Sequence, residues 1–479
     1  MRQALHIFKK DARYLWYEIA LLWLFVSAFA ALHIRTKFAY LSGLMEVVLV
    51  VGAVLLIGRV ILAEAITGDR QFWITRPYRW QSLLGAKILF VILFVNLPVF
   101  AAQFFILLID GFPLVSSVPG LLWSQLLLFA CVALPFAAIA SLSSGIAPFI
   151  VSQLIVLAFG ASMLALFAPF GTRALGSLDW VRYSIGLLAV CAIAVPVLFI
   201  QYRSRRTLLS RWVAAGGIAL GALAFMAMPS SFALAVQSGL SKQPSLGSSI
   251  RASFGAVPEL QFSTGQAPGK IAMVFPIVLR GLPEGTDVQG DVFSISLQSP
   301  ADCSNFSRTP ISAGVATIHV NCFIDTKLFG QQRDRPMTLR ASLYFTLFGN
   351  RQSRTMPFNS DFFNAPAGLQ CAAESDGLRT AWNVRCRSAF RWPARLVYER
   401  LGNSDDNSIP QSVSYSPFPA DLSIDPLETH HSSTSMPEPA PATRNVTIIA
   451  EEPLAHLHRD IVARAVQLDD FADPSVRRR

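Results

Sequence analysis

The sequence predicts an α-helical polytopic membrane domain of about seven spans followed by a β-rich, sandwich-like extracytoplasmic domain. Three observations lead there. Hydrophobic residues make up 53 % of the chain and charged ones only 15 %, too apolar for an ordinary soluble protein. The long apolar runs all lie before residue 237, and the remainder reads as a soluble, strand-rich chain. Charge divides at the same place: 17 Lys/Arg against 7 Asp/Glu up to residue 236, and 23 of each beyond it.

Residues 1–14 read as an amphipathic interfacial helix, with Ala4, Leu5, Ile7 and Phe8 towards lipid and Lys9, Lys10 and Arg13 towards headgroups. A disordered basic tail is the alternative. The apolar run that follows is longer than a signal-peptide core and lacks a small-residue cleavage site, so it reads as a first span. The transmembrane region 15–236 then holds seven segments of the roughly 20 apolar residues that a bilayer crossing needs: 16–34, 41–62, 88–108, 121–140, 146–167, 184–202 and 212–235. They are continuously apolar rather than alternating, which favours helices over barrel strands.

With the N-terminus in the cytoplasm, twelve basic residues fall inside: Arg2, Lys9, Lys10, Arg13, Arg70, Arg76, Arg79, Lys87, Arg203, Arg205, Arg206 and Arg211. Only Arg35, Lys37, Arg173 and Arg182 fall outside. The positive-inside rule sets the orientation, and an odd number of spans places the C-terminal half outside the cytoplasm. The same rule accounts for the net charge of +10 without nucleic acid, since no basic stripe or base-stacking module is present.

Within the spans, Pro98, Pro135, Pro148 and Pro196 are candidate kinks. Gly217 and Gly221 form a GxxxG that would admit a neighbouring helix, or arise by chance in a Gly/Ala-rich segment. The ionisable groups Glu18, Glu46, Arg59, Glu64 and Asp110 all lie towards span ends, which argues against an ion-coupled carrier. Cys131 and Cys191 read as inert apolar residues.

The one long polar gap in this half is residues 64–87, EAITGDRQFWITRPYRWQSLLGAK. It interleaves Arg70, Arg76, Arg79 and Lys87 with Phe72, Trp73, Tyr78 and Trp80. Arg and Trp are enriched at docking hot spots, and Pro77 would break the segment into two arms. Simple anchoring at the headgroup boundary is the alternative. With Glu64, Gly68, Asp69, Arg70, the run Thr75-Arg76-Pro77, Arg79, Leu83, Leu84, Gly85 and Lys87, the gap resembles the coupling loop of type-2 ATP-binding-cassette (ABC) transporter permeases. The resemblance covers about residues 1–210.

It implies a membrane subunit, an exporter, that pairs as a homo- or heterodimer in the cell membrane. Gly68, Asp69, Arg70, Phe72, Trp73, Arg76, Pro77, Arg79, Trp80 and Lys87 would meet a cytoplasmic ATP-binding subunit. The chain has no GxxxxGK[ST], so it holds no cofactor itself and ATP belongs on that separate polypeptide. The seventh span and large C-terminal half depart from the family pattern. They leave open a second reading, a non-transporting membrane anchor presenting a β-domain for sensing or assembly.

Residues 237–268, rich in Ser, Gly, Pro and Gln, read as a linker. The β-rich domain is placed at 269–479, with strands at 271–279, 288–297, 315–325, 337–348, 395–401 and 444–450. Residues 402–443 read as a long polar excursion, and 453–468 are open between helix and strand. Cys303, Cys322, Cys371 and Cys386 suit two disulfides; of three connectivities the sequence-local pairs, Cys303 with Cys322 and Cys371 with Cys386, are favoured. Neither His430, His431, His456 and His458 nor His458-Arg459-Asp460 shows the spacing of a metal or catalytic motif, and no enzyme is expected.

Overall fold

A computed structural model describes residues 2–35, 39–64, 79–167, 179–255, 269–296, 302–308, 315–333, 335–357, 359–375, 381–390, 395–401, 411–412, 424–435 and 445–472. Helix α1 (Arg2–Tyr14) turns at Leu15 into α2 (Trp16–Arg35), followed by α3 (Ala39–Leu62). Next, α4 (Trp80–Val91) runs through a π-helical turn, Ile92–Asn96, into α5 (Leu97–Ile109). Likewise α6 (Leu114–Leu127) passes through π-helical Leu128–Ala133 into α7 (Leu134–Leu142). Helices α8 (Ile146–Phe167), α9 (Asp179–Ser204), α10 (Thr207–Ala227) and α11 (Ser230–Gly239) complete the helical half.

Six helical stretches among the described residues are long and apolar enough to cross a membrane: Trp16–His33, Gly43–Leu62, Trp80–Ile109, Leu114–Leu142, Ser184–Ser204 and Thr207–Phe225. Helix α8 supplies a shorter apolar stretch, Ile146–Phe159. Leu24, Val47, Leu55, Phe105, Leu122, Leu157 and Leu188 point outwards and are exposed, a contiguous apolar exterior that water would not tolerate. The third crossing starts at Trp80, eight residues earlier than the sequence suggests, so residues 80–87 belong to a helix.

The prolines explain both π turns. A proline inside a helix lacks an N–H and clashes with the carbonyl four residues back; widening the preceding turn relieves this. Pro98 and Pro135 each sit in the first turn after a π segment, and the loosened carbonyls find partners on other helices. Trp23 Nε1 donates to the Phe94 carbonyl at 3.4 Å and Cys191 Sγ to that of Ala130 at 3.0 Å. The glycine pair is a packing face: a Cβ at Gly217 would lie 2.5 Å from Ile193 Cγ1, and one at Gly221 3.5 Å from Ala189 Cβ.

Met228 and Pro229 separate α10 from α11, where the sequence suggests one span through 235. The first part of the expected linker is ordered structure: the end of α11, a 3₁₀ turn Pro244–Ser249, and β1 (Arg251–Phe254). Then come β2 (Lys270–Arg280), β3 (Asp287–Ser296), β4 (Asp302–Arg308), β5 (Val315–Asp325), α12 (Thr326–Gln332), β6 (Met337–Pro357), β7 (Asn359–Asn364), β8 (Gln370–Ser375), β9 (Ala381–Ala389), β10 (Arg395–Leu401), β11 (Gln411–Ser412), β12 (Leu427–Ser435) and β13 (Asn445–Val466). The expected excursion 402–443 thus contains two strands, and the ambiguous stretch 453–468 is mostly strand, because β13 pairs with β6 along its length.

Three antiparallel sheets result, ordered β1-β2-β5-β4, β11-β10-β13-β6-β3 and β12-β9-β8-β7. Strands β6 and β13, with 21 and 22 residues, span about 70 Å at 3.3 Å per residue, too long for one core. One part of this ribbon packs Leu339, Leu343, Phe345 and Leu347 against Met273, Phe275, Ile277 and Val320 of the first sheet. The other part packs Met356, Val446 and Ile448 against Cys371, Val384 and Cys386 of the third. Register shifts between Ala450 and Glu452 and between Pro453 and Ala455 are bulges that re-aim the strand between the two cores. The domain is therefore two face-to-face sandwiches sharing one ribbon, rather than a single sandwich.

Cys371 and Cys386 form a disulfide across β8 and β9. Cys322 is disulfide-bonded, and Cys303 stands opposite it in register. Replacing Cys371 and Cys386 together by Ala should destabilise the β-domain by about 3 kcal/mol, the loop-closure value for a loop of this length. Thermal unfolding of the full chain in detergent should show a lowered β-domain transition, and an unchanged midpoint would refute it.

Helix α11 is tied to β13. Gln237 Nε2 and Thr346 Oγ1 each approach His456 Nδ1 at 3.0 Å, Ser241 Oγ accepts from the His456 amide, and Lys242 pairs with Glu452 at 2.6 Å. Burial lowers the His456 pKa to about 4, so the ring is neutral in the fold. An unfolded His binds its proton near pH 6.5. Stability is therefore fully present above about pH 6.5 and is lost as pH falls towards 4. The expected loss is on the order of 3 kcal/mol, and His456→Gln should flatten that window in pH-dependent unfolding of the β-domain.

Candidate functional site

The helical bundle has two polar ends. At the end carrying α1, the gap between α3 and α4 rises from a buried ionic cluster. Lys87 Nζ, on the second turn of α4, lies 2.7 Å from Asp11 Oδ2 and 3.2 Å from Glu64 Oε2. Lys10 Nζ lies 2.5 Å from Glu64 Oε1 and 3.5 Å from Asp11 Oδ1. Asp11, Lys87 and Glu64 are 1 %, 2 % and 5 % exposed. Three charges so deeply placed survive only when compensated, and Lys10, whose side chain is 42 % exposed, completes a set of two cations on two anions from the rim.

The sequence brings them together through helix geometry. Ile7 and Asp11 are four residues apart and share the inner face of α1. On the same helix Phe8 stacks against Phe94 at 5.5 Å and meets Phe90 edge-on at 6.4 Å. The apolar face of α1, expected to face lipid, thus packs on α4 and the π turn after it, and that seating delivers Asp11 to Lys87. Glu64 follows the last turn of α3 and Lys87 lies on the second turn of the next crossing, so the cluster pins both shoulders of the intervening segment.

Burial acts to raise the Glu64 carboxyl, but the Lys87 and Lys10 ammonium groups outweigh it and hold the group below its ordinary value of 4.5. Burial likewise acts to lower Lys10, and the hydrogen bond and charge of Glu64 raise it above 10.5 instead. The Glu64 contribution is present above 4.5 and is lost as pH falls below it. The Lys10 contribution is present below 10.5 and is lost above it.

Of the ten residues the sequence singles out in this segment, Gly68, Asp69, Arg70, Phe72, Trp73, Arg76 and Pro77 lie outside the described residues. Arg79, Trp80 and Lys87 are placed. The Arg79 amide donates to Gln3 Oε1 of α1 at 3.5 Å. The Trp80 ring meets Phe199 of α9 edge-on at 5.4 Å, and Arg203 lies over that same Phe199 ring at 5.3 Å. Lys87 is an interior ion rather than an exposed docking group. Asp11 and Lys10 were missed as partners; the signal was a carboxylate on the apolar face of an amphipathic helix.

At the opposite end the β-domain sits on the bundle. His33 at the end of α2 lies 3.4 Å from Asp425 and 4.0 Å from Asp110. Asp110 also receives Arg387 at 3.7 Å, and its carbonyl accepts from Gln370 Nε2 at 2.8 Å. Burial raises the Asp425 carboxyl above its usual range; His33 and the Leu427 amide oppose this, while Glu46 and Asp110 add to it.

From this end an amide seam runs into the bundle. Gln103 Nε2 donates to Ser124 Oγ at 3.0 Å, Gln125 Nε2 to Gln103 Oε1 at 2.9 Å, and Asn96 Nδ2 to the Gln125 carbonyl at 3.0 Å. The sequence showed these amides within predicted spans, with Asn96 and Gln103 two helical turns apart on one face. Attention to ionisable groups alone passed over them. No cluster of three or more His, Cys, Asp or Glu suited to a metal occurs among the described residues.

No family model, curated protein or solved structure matches this chain.

Removing Lys87 should leave Asp11 buried without its closest cation. Lys87→Met should cost about 3–5 kcal/mol, as expected when one member of a buried ionic set is removed. Asp11→Leu together with Lys87→Met should recover part of the loss. Thermal unfolding of the purified chain measures both, and a silent single substitution would show that the cluster does not clamp the segment.

Proposed function

We propose that this chain is the membrane-spanning permease subunit of an ATP-driven ABC transporter, an exporter, coupled through residues 64–87 to a separate cytoplasmic ATP-binding subunit. The observation that carries the reading is the buried Lys10–Asp11–Glu64–Lys87 cluster. A loop that receives force needs a stiff base, and here both shoulders are locked to α1 and to two crossing helices. A push on the loop would be passed to α3 and α4 rather than dissipated in a hinge. Arg76, Trp80 and their neighbours supply the residue types that dominate docking surfaces.

In this reading the α1 end faces the cytoplasm, in keeping with the basic residues gathered there. The β-domain, at the opposite end, is extracytoplasmic. The Cys371–Cys386 disulfide supports that placement, because disulfides persist in oxidising compartments. Two permease chains, alike or different, would pair with two ATPase subunits in the cell membrane, and ATP would bind only to those partners.

The test is co-purification. The intact chain, solubilised in detergent, should retain an ATP-binding subunit encoded beside it, and Arg76→Ala with Trp80→Ala should weaken the pairing at least about tenfold, the loss of roughly 1.4 kcal/mol. If the intact chain never binds such a subunit and the substitutions change nothing, the reading fails.

A further inference from the structure

The β-domain does more at its end of the bundle than rest there. Residues 424–427, leading into β12, insert among the apolar helices. Ile424 and Leu427 are 5 % and 8 % exposed and belong to the helical core rather than to either sandwich core. The Ile424 amide donates to Glu46 Oε1 of α3, and its carbonyl accepts from Gln103 Nε2 of α5 at 2.9 Å. Asp425 faces His33 of α2 at 3.4 Å. The Pro426 carbonyl accepts from the Phe390 amide at 2.7 Å. The Phe390 ring in turn lies against Gly120 of α6, where a Cβ would come within 2.4 Å of it.

One short segment therefore meets three helices directly and a fourth through Phe390, and both backbone groups of Ile424 are satisfied by side chains of the bundle. Its partner Gln103 is the outermost member of the amide seam, which continues inward through Ser124 and Gln125 to Asn96. Asn96 is 7 % exposed, and its Oδ1 has no hydrogen-bond partner. Buried amides in an apolar bundle are costly unless paired or reached by water. Here a seam of them is capped at its outer end by a segment of the β-domain.

We propose that residues 424–427 form a stopper by which the β-domain closes the amide seam at its end of the helical bundle, and that withdrawal of the segment opens the seam to water. Two features make the contact reversible. Only Ile424, Pro426 and Leu427 are seated, and the bundle groups that the segment satisfies, Glu46 and Gln103, are side chains that water can re-solvate. The stopper gives the β-domain a role in access, which an added solubilising domain would not have. It extends the transport reading, but its test does not require the ATPase.

The full chain, with Cys131→Ala and Cys191→Ala, is reconstituted in liposomes, and Ser124→Cys serves as a nearly isosteric reporter in the seam. A membrane-impermeant maleimide should label position 124 slowly. With Ile424→Asp added, labelling should quicken by about tenfold or more, as expected when the closed population no longer dominates. Independently, His33→Cys with Asp425→Cys should cross-link under mild oxidation. That bond should hold position 124 in the slow regime, and dithiothreitol should release it. Equal labelling with and without Ile424→Asp, or failure of the 33–425 pair to cross-link, would overturn the proposal. Retention of an ATP-binding subunit, read in the same preparations, reports on the transport reading separately, because the stopper lies at the other end of the helices.

Discussion

The arrangement of the helical half depends on one buried ionic set. Without Lys87, the Asp11 carboxylate on α1, 1 % exposed, would keep only the more distant Lys10 ammonium at 3.5 Å, and a buried charge so poorly paired is costly. Without Asp11, the polar ties of α1 to the bundle would shrink to Lys10–Glu64 and Gln3–Arg79 at its rim, while its Lys and Arg side chains are equally comfortable at the lipid headgroups. The set therefore decides that α1 is part of the bundle. Through Glu64 and Lys10 it also decides how the segment after α3 begins and how α4 starts. A hydrophobic seating alone, Ile7 and Phe8 against α4, would hold the helix but would not fix its rotation; the ion pairs do so because their geometry tolerates little error.

The β-domain obeys a different constraint. A strand pair of about 70 Å cannot be covered by one opposing sheet of 10-residue strands. The chain resolves this by packing separate sheets on the two parts of the β6–β13 ribbon, with bulges between them. The ribbon is thus the domain's rigid axis. Both of its sandwiches have a tie to the helices: one through α11 and the Gln237–His456 contact, the other through Phe390, Gln370 and Arg387.

Much of this was legible in the sequence. Continuous apolar runs marked the membrane helices, because lipid demands apolarity on every face. Alternating Val, Ile, Phe and Thr marked β2, β3, β5, β6 and β10. Strands β4, β7, β9 and β12 were not legible, because they are rich in Ser, Asn, Arg and His and their order comes largely from pairing with neighbouring strands. The true extent of β13 was hidden because its Ala, His and Arg suit either state, and β6 alone decides between them. At the candidate site, the aromatic–basic segment was visible as composition. The ionic set beneath it was not, since Asp11, Glu64 and Lys87 are far apart in sequence and only tertiary packing makes them neighbours.

The two polar ends share their helices. The stretch Trp80–Ile109 begins beside Lys87 and ends beside Asp110; at 1.5 Å per residue it is about 45 Å of helix. Helix α3 carries Glu46 towards one end and leads to Glu64 at the other. A displacement applied at the α1 end along either helix arrives where residues 424–427 are seated. The π turn at Ile92–Asn96 interrupts the first of these paths where a helix can most readily gain or lose a turn of register, and the amide of Asn96 in that turn is itself a member of the seam. Coupling between distant sites requires an element with two arrangements that both sites bias. The π turn is touched by Phe8 of α1 through Phe94 on one side and by Gln125 on the other, so both polar ends reach this one segment of helix.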